Sequence, residues 1–319
     1  MHPASNFRFD AASVLNQGAR DYQEDALVTD FPLGGEFGFA VLADGMGGHA
    51  AGDVASKIIV TEVFSELTFQ AADLESLEAN VESVLRSAAL AANECVRGHV
   101  QSNPETHGMG STLIAPIFLS DKLYWISIGD SPLYLFRDGE LKQLNEDHSL
   151  APQIDLMVKT GLMDPEVART HPDRNCLTSV LIGDEVARID CPTEATQLED
   201  GDILIVSSDG LQFLDDELIA QTIHSHQADD SEIIADALLA ELHALSHPDQ
   251  DNVSYSVIKF QRLNETEEVE PVEQDETSAP ELQLAASSAA MNDASGDDSK
   301  AGPGMTFFLK AASYGRGGK

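Results

Sequence analysis

The sequence predicts an α+β fold, a four-layer α-β-β-α sandwich of two mainly antiparallel sheets flanked by helix pairs. Three observations predict it. Short apolar runs bounded by turn residues recur up to about residue 263. Two-residue turn signals join several of them. Helical stretches come in two pairs, without a repeating β-α alternation.

The strand candidates lie at 7–16, 25–31, 37–43, 111–119, 122–128, 132–137, 186–191, 202–208 and 253–260. Ser120-Asp121, Asp138-Gly139 and Asp200-Gly201 sit between apolar runs and read as hairpin turns. Asp53–Leu67 and Leu74–Val100 are helical by spacing, with Leu77, Val81, Val84, Leu85 and Ala88 on one face. Asp215–Ile223 and Ser231–Leu245 form the second pair. No internal repeat is evident.

With 319 residues, 42 % of them hydrophobic, the chain buries a sizeable core. Two regions are expected: a folded domain over 1–263 and an acidic tail over 264–319. Up to Gly304 the tail is rich in Glu, Asp, Ser, Ala and Pro and nearly free of aromatics. Such a composition does not offset its ordering entropy, so the tail is expected to be disordered. Its last stretch, MTFFLKAASYGRGGK, regains apolar and basic character and reads as an unstructured end or a short docking peptide. The tail carries 11 acidic and 4 basic residues, leaving 44 and 14 in 1–263, so the acidity belongs to the folded part.

A net charge of −37 repels DNA, RNA and anionic lipid, which excludes nucleic-acid binding as an expectation. Some of the carboxylates are candidates for concentrating divalent cations. Cys95, Cys176 and Cys191 are odd in number and far apart, which reads as reduced thiols. The N-terminal MHPASNFRFDAAS shows no signal peptide, and no apolar run approaches the ~20 residues of a membrane helix. A cytoplasmic protein is expected.

Four acidic positions stand at strand ends. Asp44 follows Phe39–Ala43, Asp130 follows Leu123–Gly129, Asp209 follows Ile203–Ser208, and Asp251 precedes Val253–Phe260. Asp-Gly is a common turn and Asp a common helix cap, so each alone is unremarkable. Four together are not, because a carboxylate ending a buried strand is costly unless paired or metal-bound. Hard oxygen donors suit magnesium or manganese. Gly45, Gly47 and Gly48 let the backbone approach an ion or phosphate closely. No Gly-Lys-Ser/Thr follows, so this is no Walker loop. No Cys stands six residues before an Arg, which excludes a cysteine-nucleophile phosphatase.

Seven motifs occur in order: RDYQED at 20–25, DGMGGH at 44–49, GMGST at 108–112, GDS at 129–131, RDGELKQLNEDHSL at 137–150, SDGL at 208–211 and DNVS at 251–254. Together they resemble a bacterial type 2C, metal-dependent serine/threonine protein phosphatase. The resemblance runs from about residue 8 to 260.

It implies two manganese or magnesium ions per site. Asp44 bridges them, Asp209 and Asp251 bind one, and the Gly45 carbonyl, with Glu24 and Asp25 through water, serves the other. Arg20 resembles the phosphate-clamping arginine. Asp130, with Asp209, resembles the ligands of a third ion in bacterial members, and Ser149–Asn175 their mobile flap. Three positions depart from the pattern: Gln23 for Asn, Pro132 for Arg, and Ser179 where a basic residue is frequent. None is an inferred ligand of the two ions. The expected function is hydrolysis of phosphoserine and phosphothreonine in proteins by a metal-activated water, opposing a Ser/Thr kinase, in a monomer. The alternative is a catalytically silent scaffold of the same fold. His49 reads as a helix-capping residue and His148 as a loop residue at the flap entrance. Trp125 and Phe136 read as core or sheet-surface residues.

Overall fold

The computed structural model describes residues 7–32, 35–47, 50–263 and 306–310. In chain order it contains β1 (Phe7–Asn16), β2 (Asp25–Asp30), β3 (Phe37–Met46), α1 (Ala50–Gln70), α2 (Leu74–Ala79), α3 (Val81–Ser102), β4 (Gly110–Ser111), β5 (Leu113–Leu119) and β6 (Lys122–Ile128). There follow β7 (Leu133–Arg137), β8 (Glu140–Gln143), α4 (Ala151–Lys159), α5 (Pro165–Arg169), β9 (Thr196–Gln197) and β10 (Ile203–Ser207). Last come α6 (Asp216–His226), α7 (Ser231–Leu245), β11 (Val253–Arg262) and β12 (Thr306–Lys310).

The strands form two antiparallel sheets. One has the order β12-β1-β11-β10-β7-β8, the other β2-β3-β5-β6-β9 with β4 on β3. Side chains alternate between faces of a strand, and this alternation builds the layers. In β3, Phe39, Val41 and Ala43 pack against α1 and α3, while Ala40 and Leu42 face the other sheet. In β10, Ile203 and Ile205 pack against α6 and α7, while Leu204 and Val206 meet the first set across the sandwich. Three apolar layers therefore separate four structural ones, as the sequence predicts. Trp125 and Phe136 both belong to these cores.

Several elements differ from expectation. The helix expected over Leu74–Val100 is two helices. Asn80 breaks it with φ −128° and ψ 18°, and its Nδ2 donates to the Ser76 carbonyl. Leu77, Val81, Leu85 and Ala88 still share one buried face. The strand expected at 186–191 is absent; only Asp190 bridges to Ser127. Asp190 instead accepts from Trp125 Nε1 at 3.0 Å and the Glu146 N–H at 2.9 Å, which fixes a loop. The polar strand β8 and the two-residue β9 lie outside the expected set. The tail expectation for 264–319 falls outside the described residues except at Thr306–Lys310. Those five form β12, with register Asn16↔Thr306 to Ala12↔Lys310, in place of an unstructured end. His49 also lies outside the described residues.

Candidate active site

The two central sheets meet where β2, β3, β10 and β11 end or begin, and the acidic positions gather there. In the β2–β3 register Asp25 stands directly opposite Asp44. From the other sheet, Asp209 opens a short helical turn after β10, and Asp251 precedes β11. Asp130 follows β6 in the turn leading to β7. Asp44 lies within electrostatic reach of Asp25, Asp209, Asp130 and Asp251 together.

The charge balance follows from burial and crowding. Burial first, then the neighbouring aspartates, pushes the Asp44 carboxyl well above the usual range. Burial raises Asp25 to about 7, opposed by the Ser208 and Ser254 hydroxyls and reinforced by Asp209 and Asp251. Asp130 rises to about 7 through burial, then Asp209 and Asp147. Asp209 rises to about 6 through burial and Asp251, held back by a hydrogen bond with Asp44 and by Arg20. So many carboxylates at one point carry an unmet demand for positive charge.

Local contacts hold each residue. Thr112 brackets Asp44: its Oγ1 accepts the Asp44 N–H at 3.0 Å, and its N–H donates to the Asp44 carbonyl at 2.9 Å. Ser208 Oγ donates to Asp25 Oδ2 at 2.8 Å. The other Asp25 oxygen, Oδ1, is buried without a geometric hydrogen bond. The Gly45 N–H donates to the Glu24 carbonyl at 3.1 Å. A Cβ on Gly45 would stand 2.2 Å from the Gly52 carbonyl oxygen, so only glycine lets β3 meet α1 here. Arg20 lies in the exposed loop after β1, and its Nη2 donates to Asp251 Oδ2 at 2.5 Å.

All eight residues singled out in the sequence thus border one region. Among the described residues, however, no three acidic, His or Cys side chains share an ion-sized shell. The contacts account for this: Asp251 is turned to Arg20 and Asp25 to Ser208. The donor set itself suits a hard divalent cation, being entirely oxygen and, the Gly45 carbonyl apart, carboxylate. Beside it, a cavity of about 420 Å³ is bordered by Asp130, Asp147, Arg174, Asp209 and Gln212. The 149–175 segment contributes Ser149, Ala151, Arg174 and Asn175 to that border, and Arg174 makes a two-point bond to Asp155.

The residue that sequence reasoning missed is Asn252. Buried, it accepts the Glu24 N–H at Oδ1 (2.8 Å) and donates through Nδ2 to the Gln17 and Tyr22 carbonyls (2.8 and 2.9 Å). It stitches the loop carrying Arg20 and Glu24 to the loop carrying Asp251. The only signal was its place in DNVS. Asp147, beside Asp130, was likewise given no role. His148 is a loop residue directly before the 149–175 segment, as expected, and its side chain is fully buried.

Comparison with known proteins supplies the family. The serine/threonine protein phosphatase PstP of Mycobacterium tuberculosis is 37 % identical over 172 residues, 53 % of this chain. The match spans only 31 % of that relative's length. The serine/threonine phosphatase stp of Listeria welshimeri is 32 % identical over 219 residues, covering 69 % of this chain and 83 % of the relative. The crystal structure of the PstP catalytic domain with two manganese ions superposes with a TM-score of 0.64 at 29 % identity. That alignment covers 80 % of this chain and 99 % of the other. A sequence profile described as protein phosphatase 2C matches residues 18–254. The chain belongs to the protein phosphatase 2C family.

Proposed function

We propose that this chain hydrolyses phosphoserine and phosphothreonine monoesters in proteins, with two manganese or magnesium ions at the carboxylate centre. The meeting of Asp25 and Asp44 with Asp209 and Asp251 at the junction of the two sheets carries this reading. The two manganese ions in the related PstP structure support it. In this reading Asp44 would serve both ions, Asp209 and Asp251 would hold one, and the Gly45 carbonyl would serve the other, with Glu24 and Asp25 acting through water. Bound divalent ions supply charge neutralisation at phosphorus and a water of lowered pKa.

The chain's own residues do the rest. The planar Arg20 guanidinium grips two phosphate oxygens as a fork. Its bond to Asp251 holds it at the mouth of the centre. Thr112 and Ser208 fix the directions of Asp44 and Asp25, so that little reorganisation accompanies the reaction. Asp130 with Asp209 would hold a third ion, and 149–175 would act as the flap beside the adjoining cavity. The catalytic domain is 1–263, followed by the acidic tail 264–319. The chain works as a cytoplasmic monomer that opposes a Ser/Thr kinase. No helix among the described residues is long and apolar enough to cross a membrane.

Phosphate release from an aryl phosphate and from phosphopeptides, measured with manganese, magnesium or EDTA, tests the proposal. Activity is expected only with a divalent ion, and Asp44→Asn or Asp209→Asn is expected to abolish most of it. Full activity in EDTA, or in both variants, would sink the two-ion reading. Failure to bind manganese at millimolar concentration in calorimetry would favour the silent scaffold.

A further inference from the structure

His148 is placed where no function has yet been given to it. Its side chain is buried completely. Two reciprocal bonds join it to Gly129: the His148 N–H donates to the Gly129 carbonyl at 3.0 Å, and the Gly129 N–H donates to His148 Nδ1 at 3.3 Å. The His148 carbonyl in turn accepts from the Thr178 N–H at 2.7 Å and Thr178 Oγ1 at 2.8 Å. Its neighbour Ser149 bridges to Leu177. One residue therefore ties together the turn before Asp130 and both ends of the segment that borders the cavity.

The ring's chemistry narrows further. A nitrogen that accepts a hydrogen bond carries no proton, so the neutral ring has its proton on Nε2. That Nε2 is buried with no hydrogen bond, and Glu146 Oε2 lies 3.7 Å away. Gly129 itself has φ +109°, and a Cβ there would stand 2.6 Å from Thr112 Cγ2. The turn is thus pressed between Thr112, which also holds Asp44, and His148. Moving His148 leaves the Gly129 N–H unpaired and frees the turn that sets Asp130.

We propose that His148 is a positioning residue, whose Nε2-protonated ring fixes the Gly129-Asp130 turn and the ends of the 149–175 segment relative to the carboxylate centre. The inference rests on the reading of that centre as a phosphatase site. Its geometric half stands apart from activity.

Two measurements test it on the full chain. The first is ¹⁵N NMR of the imidazole together with hydrogen exchange at the Gly129 amide. The expected result is an unprotonated Nδ1, a protonated Nε2 and slow exchange at Gly129. In His148→Leu, which is similar in bulk but cannot accept, Gly129 exchange accelerates. In His148→Asn, whose Oδ1 sits near the place of Nδ1, exchange stays slow. A protonated Nδ1, or Gly129 exchange unchanged in His148→Leu, overturns the proposal whatever the enzyme's substrate. The second is turnover of an aryl phosphate with manganese. His148→Leu is expected to lose about tenfold to a hundredfold in kcat/KM, and His148→Asn to remain within about threefold of the wild type. Equal loss in both variants makes His148 a packing residue only. An inactive wild-type chain that retains the expected ring tautomer and amide protection defeats the phosphatase reading and leaves the clamp standing.

Discussion

Asp25 and Asp44 are cross-strand neighbours, opposite each other in the β2–β3 ladder, and both carboxyls are pushed up by burial and by the aspartates around them. Like charges directly opposite destabilise a sheet. The fold therefore carries a local cost that a bound cation removes. Asp44→Asn is expected to raise the stability of the metal-free chain by about 1–3 kcal/mol while lowering turnover by about 1000-fold or more. Urea unfolding in EDTA, beside a phosphate-release assay, reads both. A variant that loses stability and activity together would contradict this account.

The same crowding sets a pH dependence. A carboxyl whose folded pKa is raised binds its proton more tightly in the folded chain. Its contribution is fully present below the ordinary range and is lost as pH rises through the raised value. For Asp25 and Asp130 that window runs from 3.8 to about 7. In EDTA the wild type is expected to lose stability across this window more steeply than Asp25→Asn. Manganese is expected to stabilise the chain more at the upper end of the window than at the lower, since ions there displace fewer protons. Thermal melts at both ends, with and without manganese, provide the check.

Arg20 offers its guanidinium from an exposed loop to Asp251, and the phosphate reading asks it to bind two oxygens at once. Lysine keeps the charge but not the fork. Arg20→Lys is expected to cost about tenfold or more in kcat/KM, chiefly through KM. Steady-state kinetics on a phosphopeptide separates the two parameters. An unchanged KM would remove Arg20 from substrate binding.

Asn252 makes three hydrogen bonds to the backbones of Gln17, Tyr22 and Glu24 from a buried position. Asn252→Ala leaves those groups unpaired and is expected to destabilise the fold by about 2–4 kcal/mol. Asn252→Asp keeps the acceptor but loses both donors and adds a charge beside Asp251. Denaturant midpoints for both variants test this, with neither expected to match the wild type.

Much of this architecture was legible because its signals are local. The apolar runs of β6 and β10 and the hairpin turns at Ser120-Asp121 and Asp138-Gly139 read directly from neighbouring residues. Asp200-Gly201 is a turn but not the expected hairpin, because β9 and β10 on either side of it belong to different sheets. The aspartates at strand ends were visible for the same reason. The strand β8 was not, because Glu140, Lys142 and Gln143 make an exposed edge strand without an apolar face. Residues 186–191 misled in the opposite sense: their apolar members suit a strand, but Asp190 commits its carboxylate to Trp125 and Glu146. The break at Asn80 depends on side-chain bonding back to Ser76, which competes with helix continuation. Asn252 and His148 escaped because their partners lie in distant segments. No pattern within a short window records that Asn252 meets Gln17, or that His148 meets Gly129.

The pairing of β1 with β11 spans nearly the whole folded part, as the Ser13–Ser256 hydroxyl bond across 243 positions shows. Closing so long a loop is entropically expensive before any contact repays it, so this ladder is expected to form late. During synthesis Arg20, Glu24 and Asp25 emerge early, yet Asp251 and Asn252 join them only when β11 leaves the ribosome. A nascent chain stalled before residue 250 thus holds Glu24, Asp25, Asp44, Asp130 and Asp209 without Asp251. Catalytic competence arrives as a single late event, near the end of translation of the folded region.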